Sequence, residues 1–129
     1  VKISRYRICI FSEDPDSLQE FYRVALELPL NRKMDITDDY GYVFDLGPQI
    51  ELYIARHSDI HGNNPETVRH IFDLQVNSVS DQFDKIKKYL GITVIAAPYQ
   101  APCSIVATFT DPEGNCWQLS ENSECKSDE

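Results

Sequence analysis

Polar and apolar residues alternate from residue 3 to residue 11, with Tyr6, Ile8 and Ile10 on one face and Arg5, Arg7, Cys9 and Phe11 on the other. This period of two predicts a strand. At Ser12-Glu13-Asp14-Pro15-Asp16 the pattern changes: an Asp N-cap, a proline at the first helical position and acids in the first turn start a helix. Over 15–26 that helix carries Leu18, Phe21, Tyr22 and Ala25 at i, i+3, i+4 and i+7, a stripe that needs a sheet beneath it. Three short strands follow near 30–36, 40–46 and 49–55, broken at Asp38-Asp39 and at Gly47-Pro48. The segment from Arg56 to Thr67, with Gly62-Asn63-Asn64-Pro65, reads as a hinge.

The order then repeats. A strand is expected at 69–77, a helix at 79–90 with Val79, Phe83, Ile86 and Leu90 as its buried stripe, and strands near 92–97, 104–110 and 115–121. Within strand 69–77, His70, Phe72, Leu74 and Val76 share an apolar face that should pack on the helix, leaving Ile71, Asp73 and Gln75 on the other. A one-residue bulge would turn His70 around. The pattern therefore predicts an α+β fold of two βαβββ modules, at about 3–55 and 69–121, forming one domain over 1–121. A flexible tail at 122–129 follows, because that stretch has almost no apolar content.

Two strands carry the duplication most clearly. Asp111-Pro112-Glu113-Gly114-Asn115 is a turn, in which Gly114 supplies a positive φ, and it opens a strand with Trp117 and Leu119 on one face and Cys116, Gln118 and Ser120 on the other. Gly47-Pro48 opens another, with Ile50, Leu52 and Ile54 opposed to Glu51 and Tyr53. Glu51 and Gln118 are the central polar residues of the two, offset by 67 residues (118 − 51).

The chain has 129 residues and a net charge of −9, from 12 basic and 21 acidic side chains. Phosphate contacts need a basic surface, so nucleic acid is not expected as a partner. An acidic surface favours a cationic ligand, if it does more than confer solubility. No run of about eighteen apolar residues exists to span a membrane, and Val1-Lys2-Ile3-Ser4-Arg5 lacks the apolar centre of a signal peptide, which points to the cytoplasm. Cys9, Cys103, Cys116 and Cys125 are widely spaced, without a Cys-x-x-Cys pair, and are expected as free thiols.

The paired modules, the Ser17-Leu18-Gln19-Glu20-Phe21-Tyr22 helix segment and the closing Asp-Pro-x-Gly-Asn turn resemble the vicinal oxygen chelate superfamily over residues 3–121. That superfamily includes glyoxalase I, bleomycin-resistance proteins, fosfomycin-resistance enzymes and extradiol dioxygenases. The resemblance implies strands curled into two half-open cups facing one another across a ligand cavity, commonly in a homodimer. In metal-dependent members it implies histidines and glutamates on the first and fourth strands of each module. Those positions fall here on Arg7, Glu51, Ile71 and Gln118, of which only Glu51 is such a ligand. Arg offers donors only, Ile offers nothing and a Gln carbonyl is weak, so no bound cofactor is expected. The alternative is a divalent metal such as Zn, Ni, Mn or Fe held by Glu51 and a rotated His70.

In the place of a metal, Arg7 and Glu51 should form a charge-assisted pair on neighbouring strands, serving either as a salt bridge that anchors the cup or as a ligand-orienting group. Arg7, Cys9, Glu51, Tyr53, Asp73 and Gln118 are the expected ligand-contacting residues, with Tyr40 and Tyr42 as further aromatic wall. Cys9 and Cys116 could both face the cavity, but with no sequence neighbour to lower their pKa they read first as small buried apolar side chains. His57 and His61 belong to the hinge, where a metal would need a third ligand such as Asp59. The resemblance thus implies a small-molecule-binding protein of the glyoxalase and bleomycin-resistance type without the metal site. The alternatives are a metal-dependent lyase, isomerase or dioxygenase, or a metal-free isomerase with Glu51 as base.

Overall fold

The computed structural model describes residues 1–125, and the chain divides at Gly62/Asn63 into two compact units. In the first, β1 (Tyr6–Ser12) leads into α1 (Pro15–Glu20), followed by β2 (Leu30–Ile36), β3 (Asp39–Gly47) and β4 (Ile50–Arg56). In the second, β5 (Ile71–Gln75) leads into α2 (Val79–Ile86), then β6 (Val94–Gln100), β7 (Ser104–Thr110) and β8 (Cys116–Asn122). Both four-stranded sheets have the same order, β1-β4-β3-β2 and β5-β8-β7-β6, and in each the first strand runs parallel to the last. This is the expected pair of βαβββ modules.

The helix starts follow from the local sequence. Asp14 caps α1 by accepting from the Ser17 N–H at 3.2 Å, with Pro15 behind it, and Ser78 does the same for the Asp81 N–H of α2. Past Glu20 the first helix widens into a π turn over Phe21–Ala25, marked by the Leu26 N–H donating to the Phe21 carbonyl five residues back. The widened turn keeps Phe21, Tyr22 and Ala25 buried together. The second helix is shorter than the predicted 79–90. It ends at Ile86, Gly91 turns with φ 92°, and Leu90 is exposed instead of buried.

Each core lies between a helix and one face of its sheet. Leu18, Phe21 and Tyr22 cover Phe44, Leu52 and Ile54 in the first unit; Val79, Phe83 and Ile86 are buried in the second with Trp117, Leu119 and Phe109. Phe72 packs its ring 5.0 Å from that of Trp117, which confirms the facing of β5. The register of β5 on β8 runs without a bulge from Ile71↔Cys116, and His70 lies before the strand, exposed. His70 is therefore not turned into the sheet.

The turn at 111–115 is built around one carboxylate. Buried Asp111 accepts from the Glu113 and Asn115 N–H groups at 2.9 and 3.0 Å and from the Asn115 amide at 2.8 Å, while Gly114 adopts φ 86°. Expectation and structure part at the cysteines. The Ser104↔Asn122 pairing brings the chain after β8 alongside the β6–β7 turn, and Cys103 and Cys125 form a disulfide with their Cα atoms 4.0 Å apart. Only Cys9 and Cys116 are free. The segment expected as a tail thus contributes Asn122 to β8 and Cys125 to the disulfide; 126–129 lie outside the described residues. Among the described residues no helix is long and apolar enough to cross a membrane.

Candidate functional site

The face of the first sheet turned away from α1 carries Arg7, Cys9 and Phe11 from β1, Glu51, Tyr53 and Ala55 from β4, and the residues that pair with these on β3 and β2. Arg7 is the direct register partner of Glu51, and its guanidinium reaches the carboxylate at 3.0 Å. The expected pair is there. Two further arginines, which the sequence pattern did not single out, join it: Arg5 at 3.4 Å on the same oxygen as Arg7, and Arg32 at 3.1 Å on the other. Arg32 comes from β2 on the far side of β3, so only the order of strands in the sheet reveals it. Arg5 was visible as the next residue on the Arg7 face.

The electrostatics follow from this crowding. Arg7 first, and then Arg32, hold the Glu51 carboxyl below its ordinary pKa despite the opposing effect of burial. A carboxylate favoured in its charged form and already paired with three guanidiniums is a poor proton acceptor near neutral pH, which counts against Glu51 as a general base. It is also a poor metal ligand, since binding an ion would place that ion against three guanidiniums.

Tyr53 forms the floor beside this cluster. It is buried with Val43 and Ala55, with Met34 packed against them, and the Arg7 guanidinium lies 5.6 Å from its ring centre. Its hydroxyl donates to Asp39, and burial, followed by that bond, raises its pKa. Gly41 makes room for the ring: a Cβ there would meet the Ile54 carbonyl at 2.3 Å and Tyr53 Cε1 at 2.8 Å. Cys9 is exposed as a residue, yet partial burial of its thiol outweighs Arg7 and raises its pKa, so it is not an activated nucleophile.

Tyr40 and Tyr42 do not join this wall. They stand on the opposite face, where both hydroxyls donate to Asp16 of α1 and Lys33 lies over both rings. The two bonds, Tyr40 first, hold the Asp16 carboxyl below its usual range. A separate recess of about 540 Å³ lies between the β2–β3 hairpin and the end of β4, lined by Asp35, Asp38, Asp39, Tyr40, Arg56 and His57. None of the six expected ligand-contacting residues lines it.

In the second unit the residue opposite Gln118 is Asp73, not Ile71, which pairs with Cys116. Asp73 accepts from the Gln118 amide at 3.1 Å and from the Ser120 hydroxyl at 3.0 Å. Buried Cys116 has its pKa raised by desolvation. His61 meets Glu13 at 2.7 Å, and the His57 ring packs edge-on against Phe11. Among the described residues no three His, Cys, Asp or Glu side chains converge as a metal-binding set. Arg7, Glu51, Asp73 and Gln118 do not fit the metal that the fold family implies.

A family model for a glyoxalase-like domain matches residues 7–120. The chain belongs to the glyoxalase-like domain family. Solved structures with its fold include UcmS2, 18% identical over 93% of this chain and 98% of that one, with a TM-score of 0.77. TnmS3, described as an antibiotic binding protein from Streptomyces sp. CB03234, is 18% identical over 95% and 99%, with a TM-score of 0.70. A member of the glyoxalase/bleomycin resistance protein/dioxygenase superfamily from Sphaerobacter thermophilus DSM 20745 is 16% identical over 92% and 96%, with a TM-score of 0.72. At these identities the likeness is one of fold. No curated protein matches the chain. Within the glyoxalase-like family, then, this chain keeps the two-module frame and carries Arg7 opposite Glu51 in one sheet and Asp73 opposite Gln118 in the other.

Proposed function

We propose that this glyoxalase-like protein binds a small organic molecule without transforming it, using the face of the first sheet that carries Arg7, Cys9, Glu51 and Tyr53. One observation carries the reading. Glu51 is engaged by three arginines over an aromatic floor, an arrangement suited to fixing the orientation of a ligand and unsuited to proton abstraction or to holding a metal. Within the second unit, Asp73 and Gln118 are assigned as a polar contact set of their own, on the sheet face that α2 does not cover. That one similarly folded protein is described as antibiotic binding is consistent with this reading.

Native mass spectrometry after incubation with a fractionated small-molecule extract tests it. A discrete adduct, released with its mass unchanged and lost in Tyr53→Leu, is expected. Release of a chemically altered molecule would replace binding by catalysis, and the absence of any adduct would remove the reading. The homodimer implied by the family resemblance belongs to the same proposal; sedimentation of a monomer at micromolar concentration would remove it.

A further inference from the structure

Resting on that reading, we infer that the ligand presents an anionic group, a carboxylate or phosphate oxyanion, to the arginine cluster of the first sheet, with its apolar part directed along β1 toward Phe11. The acidity of the whole chain suggests a cation, but the ion-pair cluster at Glu51 is the reverse. Arg5, Arg7 and Arg32 share one carboxylate in ion-pair contact, Glu51, leaving two positive charges without a partner at that point. Asp45, the register partner of Glu51 on β3, and Asp39 also lie on this face and keep their charge while accepting the Asn31 amide at 3.1 and 3.2 Å and the Tyr53 hydroxyl, but neither is in ion-pair contact with the three guanidiniums, so the positive excess is confined to the cluster around Glu51.

The cations are also the accessible members. The Glu51 side chain is 11% exposed, whereas those of Arg5, Arg7 and Arg32 are 53%, 31% and 41% exposed. A guanidinium has five N–H donors in a planar fork. Arg5 and Arg7 spend theirs on Glu51 alone, Arg7 keeping its buried Nε without an acceptor, and Arg32 adds only the Asn31 side-chain oxygen. Donors from both sides of Glu51 thus remain open to an incoming oxyanion, and a fork of this kind matches carboxylate and phosphate geometry. Four residues further along the same strand face, Phe11 is 42% exposed, roughly 13 Å away at strand rise. A charged head with an aromatic or aliphatic body fits that spacing.

The test is calorimetric titration with naphthoate, naphthamide and naphthylmethylamine, which differ only in the charge of the head group. Naphthoate should bind about tenfold more tightly than naphthamide. The double variant Arg5→Gln with Arg32→Gln, both at exposed side chains, should bring the two within about twofold of each other, whereas Arg23→Gln with Lys33→Gln, which removes two charges on the helix side of the same sheet, should leave the preference intact. Displacement of naphthoate by inorganic phosphate would extend the site to phosphate oxyanions; no displacement would assign it to carboxylates. Equal binding of naphthoate and naphthamide overturns the anion preference and leaves small-molecule binding standing. Tighter binding of the amine overturns it in favour of a cationic ligand, and failure of all three to bind overturns both.

Discussion

The open faces of the two sheets have the same strand order and register and opposite chemistry. Asp73 takes the place of Arg7, Gln118 that of Glu51, and Ser120 that of Tyr53. In the first sheet this yields a carboxylate crowded by three arginines over a tyrosine floor; in the second it yields a neutral amide and a hydroxyl donating to one aspartate. The backbone frame therefore sets which positions face each other, and side-chain identity alone decides what they do. The second unit also has a covalent tie, Cys103–Cys125, where the first has ionic ones.

The largest effect should come from Gly41→Val. The added atoms would overlap the Ile54 carbonyl and the Ala55 Cα, which are backbone, so the strands must separate; a loss of about 3 kcal/mol or more is expected in urea unfolding. The matching position of the second sheet is Ser104, opposite Asn122, where Ser104→Val should cost less than half as much. Equal losses would mean that the close approach of Tyr53 to Gly41 is not what distinguishes the sheets.

Reduction of the disulfide should cost about 3 kcal/mol by the loop-entropy relation for its 22-residue separation, seen as a lower urea midpoint that Cys103→Ser reproduces. No change on reduction would make the tie incidental to the second unit. Glu51→Gln comes next, at about 2 kcal/mol, because it leaves three neighbouring arginines without their carboxylate. Arg7→Met should cost less, since Arg5 and Arg32 remain on Glu51, and the double variant should be milder than the sum. Strict additivity would show that the four groups do not act as one cluster.

The pH dependence has a definite sign. The folded-state pKa of Glu51 lies below its unfolded value, so its stabilising contribution is fully present above the unfolded pKa, near 4.3, and is lost as the pH falls through the folded one. Urea midpoints should fall between about pH 6 and about pH 3, and less steeply in Glu51→Gln. An unchanged slope in the variant would assign the acid loss elsewhere, with Asp16, also lowered by its tyrosines, the next to examine. The smallest effect is expected from Asp73→Asn, below about 0.5 kcal/mol, because its bonds to Gln118 and Ser120 are exposed.

Element order, the duplication and the facing of most strands could be read from local pattern. Alternation at 6–11 and 50–55 and the Leu18, Phe21, Tyr22, Ala25 stripe are local periodicities, and Asp14-Pro15 and Asp111-Pro112 are local caps and turns, so none needs a distant partner to be read. Arg7 beside Glu51 was legible once β1 and β4 were taken as neighbours. The tertiary structure alone decided that Arg32 crosses β3 to reach Glu51, that Asp73 and not Ile71 opposes Gln118, that Tyr40 and Tyr42 turn to Asp16, and that Cys103 meets Cys125. Each of these depends on register and strand order between segments far apart in the chain. A shift of one residue reverses every facing, and side-chain periodicity within one strand holds no information about its partner's register.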